Sequence, residues 1–333
     1  VKVLIWSHTL SKKHAAGLRV ATEAKRQGLQ VRVTGGTSRP REMLSVLYDY
    51  KPDVVLCFVV RHGFRPYYEA IKRSGAKLVL WYPDMTELKR DRMWNMSLNN
   101  VADALVFSIL ETAQRYRHLA PNVIWIPQYF DHNFCLKGGR LPKRLDPTRQ
   151  IYDLCFIGSC DSYRSRWLDI LKANYPNSFF ARDGIKHRRE IRGNAMAQIY
   201  AQSRIAINLQ RKAFVNPGPY VTSNRIYNAM GSGAFVLSHY INQLDLVFQE
   251  DMHCAMFDDT RRNLFAKIDY FLSHEELREV IARTGQRQVL QYHTLEHRIK
   301  QYWQVMAAVC GGYTSREDVS AFGQWVVTGS CCV

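Results

Sequence analysis

Nothing in the 333-residue chain approaches the ~18 uninterrupted apolar residues that a membrane-spanning helix needs. The opening run Val1-Lys2-Val3-Leu4-Ile5-Trp6 is short and turns polar at Ser7-His8-Thr9, so it reads as a first strand and not as a leader peptide. The eight cysteines form no C-x-x-C pair, and none combines with histidine at zinc-finger spacing. Cys57 and Cys155 lie inside apolar runs and read as small core residues of a reduced, cytoplasmic protein.

Three phosphate and metal signatures are also missing. A dinucleotide enzyme needs G-x-G-x-x-G after its first strand, but the first strand here meets no glycine before Gly17. No P-loop occurs, which disfavours an ATPase. No D-x-D occurs, so a transferase that anchors its donor through a metal on that motif has no anchor.

What is present describes a folded α/β protein. A hydrophobic fraction of 47% and an aromatic fraction of 12% exclude disorder, collagen and coiled coil. Short apolar runs alternate with helical patterns of ~10–14 residues, the signature of βαβ units and parallel sheets. The rhythm breaks at Lys137-Gly138-Gly139-Arg140-Leu141-Pro142-Lys143-Arg144-Leu145-Asp146-Pro147, rich in Gly, Pro and charge. The expected organisation is a Rossmann-like domain over 1–134, a linker over 135–150, a second Rossmann-like domain over 151–309 and a weakly patterned tail over 310–333, with two readings: a return onto the first half or a loosely ordered end.

Charge is unevenly shared. The net charge is +17, and residues 1–150 carry 25 Lys plus Arg against 12 Asp plus Glu. An excess on one half points to a polyanionic partner there, with plain solubility as the bland alternative. Arg61, Arg65, Lys72 and Arg73 lie near Phe64, Tyr67 and Tyr68, and Lys89, Arg90 and Arg92 precede Trp94. Cations hold phosphates and rings stack on bases, so these seven are the candidate nucleic-acid contacts. Tyr67 and Tyr68 have the competing role of packing a helix on the sheet.

The second half carries the more specific pattern. Tyr152-Asp153-Leu154-Cys155-Phe156-Ile157-Gly158-Ser159 is followed by Arg164 and Arg166, and Arg204-Ile205-Ala206-Ile207-Asn208-Leu209 forms a later apolar run. Ser223-Asn224-Arg225-Ile226-Tyr227-Asn228-Ala229-Met230-Gly231-Ser232-Gly233 then opens and closes a helix. Ser223 and Asn224 are N-cap types, the helix N-terminus favours phosphate, and Arg225 on its first turn adds a charge-assisted contact. Gly158-Ser159 lets backbone approach a ligand without a Cβ in the way.

These segments resemble the donor domain of group 1 glycosyltransferases of the GT-B architecture, most closely their spore-maturation (CgeB-like) branch. The Ser223–Leu237 stretch is similar to that family's R-x-F-E-A-x-x-x-G-x-x-x-L signature, and the likeness covers roughly residues 122–309. It implies two Rossmann-like domains with a cleft between them, and a metal-independent transfer of sugar from a UDP- or dTDP-linked donor, with no further cofactor. It places Gly158, Ser159, Arg164, Arg166, Asn208, Tyr220, Ser223, Asn224, Arg225 and Asn228 at the donor, with Arg211 and Lys212 as additional cations. The chain departs from the family at two positions: Asn228 stands where a Glu usually holds the donor ribose, and Tyr220 where a second Glu engages the sugar.

For the base that takes the acceptor proton, Asp84, His8 and His62 each follow an N-terminal strand at the carboxyl edge where open α/β sheets place ligands. The basic first half makes DNA, through a hydroxymethylated base flipped from the stack, the expected acceptor. The rivals are a spore-coat or cell-surface glycan as acceptor, and a non-catalytic nucleic-acid-binding protein on the same scaffold.

Overall fold

The computed structural model describes residues 1–7, 16–35, 40–58, 63–82, 100–131, 135, 150–183, 191–211, 222–241, 244–258, 260–311 and 324–326. The chain divides into two compact units, one formed by 1–127 with 295–333 and the other by 128–294.

In the first unit, β1 (Val3–Ser7), β2 (Val31–Gly35), β3 (Val54–Cys57), β4 (Lys77–Tyr82), β5 (Ala104–Phe107) and β6 (Val123–Trp125) are parallel. Helices α1 (Ala16–Arg26), α2 (Pro40–Tyr50), α3 (Arg65–Arg73) and α4 (Leu110–Arg115) connect them. The sheet runs β6-β5-β4-β3-β1-β2, so the strand order reverses between β1 and β3. Every residue of β1, β3, β5 and β6 is buried, which explains why these strands read as unbroken apolar runs instead of alternating ones.

The second unit is a five-stranded parallel sheet. In chain order it contains β7 (Tyr152–Ser159), α5 (Ser162–Asn174), β8 (Ser178–Asp183), α6 (Gly193–Ala201), β9 (Ser203–Asn208), α7 (Asn224–Gly231), β10 (Phe235–His239), β11 (Ala255–Phe257), α8 (Arg261–Ser273) and α9 (Glu275–Tyr292). The spatial order is β11-β10-β9-β7-β8, and here the reversal falls between β7 and β9. Leu154, Phe156, Ile205, Ile207, Phe235 and Leu237 from the three central strands meet Leu168, Leu171, Leu264, Ile268 and Phe271 from α5 and α8 in one core. Asp161 caps α5 by accepting from the Arg164 amide at 2.8 Å, and Thr260 caps α8.

The boundaries differ from the expected ones at two places. Helix α10 (Leu295–Val309), expected in the second domain, belongs to the first unit. Its buried Arg298 donates from Nε to the Pro127 carbonyl at 2.8 Å, and the Tyr302 ring meets Trp81 of β4 edge-on at 6.1 Å. Residues 128–131, expected at the end of the first domain, belong to the second unit. The Phe130 amide donates to His293 O at 2.8 Å, and its ring lies against Gly231, where a Cβ would come within 2.5 Å of it. Near the chain's end, β12 (Gln324–Val326) pairs antiparallel with β6, so the return to the first half is made by a strand. Residues 136–149 of the expected linker lie outside the described residues.

Candidate active site

Open parallel sheets bind ligands beyond the carboxyl ends of their strands, where the strand order reverses. In the second unit that point is the gap between β7 and β9, and three arginines converge on it. Arg225, on the first turn of α7, donates from Nε to Ile157 O at 2.9 Å and from Nη1 to Asn208 Oδ1 at 2.7 Å. Arg164, on the first turn of α5, donates from Nε to Leu209 O at 2.9 Å and from Nη1 to Ser159 O at 2.8 Å. Arg211, just past β9, donates from Nη2 to Ser159 Oγ at 2.6 Å. The Phe156 ring lies beneath two of them, with the Arg225 guanidinium 4.5 Å and the Arg164 guanidinium 5.9 Å from its centroid.

The anchors named here are backbone carbonyls, an amide oxygen and a hydroxyl. Such groups orient a guanidinium without cancelling its charge. Arg164 and Arg211 form no ion pair among the described residues, and Asp161, the nearest acid to Arg164, is engaged as the α5 cap. Burial, with Arg225 and Arg211 close by, lowers the Arg164 pKa to about 9, so the group is still charged at neutral pH but held against repulsion. A ligand carrying negative charge relieves that repulsion.

Gly158 makes the packing possible. Its φ is +157°, and a Cβ there would lie 2.4 Å from Arg225 Nη2. The sequence expectation for Gly158 is a close approach of ligand to its backbone; in the structure the space of the missing side chain is occupied by an arginine. Gly231 has a packing role against Phe130, and Gly233, with φ +86°, ends α7 after the Ser232 cap.

The start of α7 completes the edge. Ser223 is the N-cap by backbone geometry (φ −103°, ψ 153°), but its side chain makes no capping bond; its hydroxyl lies 3.5 Å from Asn208 Oδ1. The helix therefore begins without the side-chain acceptor expected from a serine at this position. The Asn224 Oδ1 is buried and has no hydrogen-bond partner among the described residues. Asn228 lies one turn on, on the same helical face, and accepts from the Cys135 thiol at 3.9 Å.

Two of the expected donor residues are placed differently from the three arginines. Arg166 is exposed, because two residues along a helix from Arg164 turns it by ~200° away from the edge. Asn208 is 1% exposed and its amide is engaged within the protein. Tyr220 and Lys212 lie outside the described residues. Sequence reasoning missed Ser238 and His239 on β10. The Ser238 hydroxyl accepts from Asn208 Nδ2 at 2.8 Å, and His239 Nδ1 accepts from the Gln210 amide at 2.9 Å. That bond places the proton of neutral His239 on Nε2. Burial, reinforced by Arg164, lowers the His239 pKa to about 4. Two polar residues at the end of an apolar strand were the available signal.

In the first unit, His8, His62 and Asp84 lie outside the described residues; they follow β1, β3 and β4, which are neighbours in the sheet. Arg61, Lys89, Arg90 and Arg92 are also outside. Of the remaining candidate nucleic-acid contacts, Arg65 is ion-paired to Glu69 at 2.8 Å, Lys72 donates to Asn100 O at 3.2 Å, and Arg73 is exposed. Tyr68 is buried and, with Tyr67, meets the buried Trp6 ring edge-on, so both pack α3 on the sheet.

Residues 142–304, which include the whole site, match the glycosyl transferase-like family. Solved structures share the architecture over nearly the whole chain. HepE from Anabaena in complex with UDP-glucose is 11% identical with a TM-score of 0.66, over 92% of this chain and 99% of that one. A glycosyltransferase from Rickettsia africae is 12% identical with a TM-score of 0.61, over 92% and 98%. Sucrose-phosphate synthase from Thermosynechococcus elongatus is 10% identical with a TM-score of 0.61, over 92% and 100%. No curated protein sequence matches the chain. The chain therefore has the two-unit α/β architecture of GT-B glycosyltransferases, and its segment 142–304 is similar to the glycosyl transferase-like family.

Proposed function

We propose that the protein transfers a sugar from a nucleoside-diphosphate sugar to a hydroxyl acceptor, with the diphosphate held at the β7/β9 edge of the second unit. One observation carries this reading: three guanidiniums, Arg164, Arg211 and Arg225, are oriented by neutral acceptors at the sheet's reversal point. Cleaving the bond between sugar and diphosphate builds negative charge on the departing phosphate. Preorganised cations stabilise that charge without reorganising during the reaction. In this reading arginines and the amide end of α7 take the part that a metal ion plays elsewhere. The likeness to a HepE structure containing UDP-glucose supports a uridine-linked donor.

The test is calorimetric titration with UDP, followed by mass spectrometry of products from a panel of UDP- and dTDP-sugars. Binding of UDP that weakens at least ten-fold in Arg225→Ala is expected; equal affinity in the two proteins contradicts the assignment.

For the acceptor, the net charge of +17, concentrated in residues 1–150, supports DNA, and a hydroxymethylated base supplies the hydroxyl. The support is the charge distribution, since among the described candidates Arg65 is paired and the tyrosines pack inward. Binding to hydroxymethylcytosine-containing DNA that weakens steeply between 50 and 200 mM salt, with a sugar appearing on the base, is the expected result. Product on polysaccharide alone assigns the acceptor to a glycan instead.

A further inference from the structure

The amide of Asn208 lies at the end of β9, close enough to the arginines to look like a ligand contact, yet its bonds are made within the protein, including a longer one accepted from the Ser223 hydroxyl at 3.5 Å. Nδ2 donates to Ser238 Oγ at 2.8 Å, and Oδ1 accepts from Arg225 Nη1 at 2.7 Å. Ser238 is fully buried and spends its one proton on the His239 carbonyl at 2.8 Å. Its oxygen is therefore left only as an acceptor towards Asn208, which forces the amide nitrogen to face β10 and the amide oxygen to face Arg225. The opposite flip would set an NH₂ group against a guanidinium, donor against donor.

We infer that Ser238 and Asn208 are positioning residues that lock Arg225 in the plane in which it meets the donor diphosphate. The inference rests on the reading of Arg225 given above. Arg225 has a second fixed edge at Ile157 O, 2.9 Å from Nε, and the Phe156 ring below it. Two acceptors from adjacent strands and one ring define the orientation of a planar group completely. The amide at 208 has a further consequence. A carboxylate in its place would hold the guanidinium as firmly but neutralise it, whereas an amide directs the charge without consuming it. Ser238 makes this work at a distance: it touches neither ligand nor arginine, and acts only by choosing which end of the amide Arg225 sees.

The experiment measures the affinity of UDP, pyrophosphate and uridine for the full chain and four variants: Ser238→Ala, Asn208→Asp, Arg225→Ala, and Ser238→Ala combined with Arg225→Ala. Removing the Ser238 acceptor frees the amide to flip, so Ser238→Ala is expected to weaken UDP and pyrophosphate about five-fold and to leave uridine unchanged. Asn208→Asp is expected to weaken both phosphate ligands at least ten-fold, because the arginine keeps its place but loses its net charge. In the Arg225→Ala background, Ser238→Ala is expected to have no further effect, since its influence passes through the arginine. An additive loss in the double variant, or an equal loss for uridine and UDP, shows a general loosening of the unit and overturns the inference. If Arg225→Ala weakens UDP while Ser238→Ala and Asn208→Asp do not, the positioning role alone falls. If Arg225→Ala leaves UDP unchanged, the donor reading falls and takes the positioning role with it.

Discussion

At the scale of single residues, the site depends on what is missing as much as on what is present. Gly158 has no Cβ, and the space is filled by Arg225 Nη2, 2.4 Å from where that Cβ would be. Gly158→Ala must therefore move the guanidinium off Ile157 O and Asn208 Oδ1, or move β7 itself. Overpacking of this kind costs about 1–3 kcal/mol. The expected outcome is a thermal midpoint lowered by several degrees together with at least ten-fold weaker UDP binding. A variant that is destabilised but binds UDP normally would show that Arg225 does not meet the ligand.

His239 gives a second residue-scale prediction, in pH. Its folded pKa of about 4 lies below the ordinary value of 6.5, through burial and the nearby Arg164. Between those values the unfolded chain binds a proton that the folded chain refuses, so stability is full above about pH 6.5 and falls as pH drops towards 4. From pH 7 to pH 5 this one group removes about 2 kcal/mol. His239→Gln, which keeps an acceptor for the Gln210 amide, should remove that part of the slope in denaturant titrations at the two pH values. An unchanged slope would place the proton uptake on His253 or His297, whose pKa values are also lowered by burial.

At the scale of elements, α7 couples stability to function in opposite directions. Its N-cap, Ser223, supplies the backbone turn but no side-chain acceptor to the first amides. An anion at a helix N-terminus stabilises it, and a well-capped helix has less to offer a ligand. Ser223→Asp should thus raise the protein's stability by about 0.5–1 kcal/mol and weaken UDP binding several-fold, since the carboxylate competes for the same amides and for Arg225. Denaturant titration and calorimetry on one preparation check both signs. A variant that gains stability and keeps its UDP affinity would separate the helix terminus from the donor site.

The elements themselves were largely legible. Buried parallel strands such as Val54–Cys57 and Ala104–Phe107 read as apolar runs, α5, α7 and α8 start at the N-cap residue types Asp161, Ser223 and Thr260, and α7 ends at its glycines. The strands β11 and β12 were not legible, because a run of three residues, in β12 beginning with Gln324, carries no period. Nor was the partner of α10: an amphipathic helix shows which face is buried but not against what, and the contacts of Arg298 with Pro127 O and of Tyr302 with Trp81 reveal that it returns to the first unit. In the site, Arg225 and Gly158 were readable because each has a residue-type reason to be there. Asn208 was read as a ligand contact and its amide is bonded within the protein, since an amide at a strand end looks the same whether it faces solvent or a buried serine on the neighbouring strand. Arg166 failed on helical phase.

At the scale of the whole molecule, the positive charge is shared by both units, a net of +10 on 1–127 with 295–333 and +7 on 128–294, and the three arginines all belong to the second. A ligand that binds only the folded second unit stabilises that unit by mass action, by about 2.7 kcal/mol at a concentration one hundred times its Kd. The arginine repulsion sharpens the effect: burial is the main cause of the lowered Arg164 pKa, and the ligand's charge offsets the part that Arg225 and Arg211 add. Hydrogen exchange with and without UDP should therefore show its added protection within 157–164, 208–211 and 223–231, where β7, β9 and α7 present their ends, with smaller changes in β10 through Ser238. The amides of β1, β3 and β4 should keep their rates, since UDP alone carries no acceptor. Protection centred on those first-unit strands would move the diphosphate to the β1/β3 reversal and leave the arginine edge without a ligand.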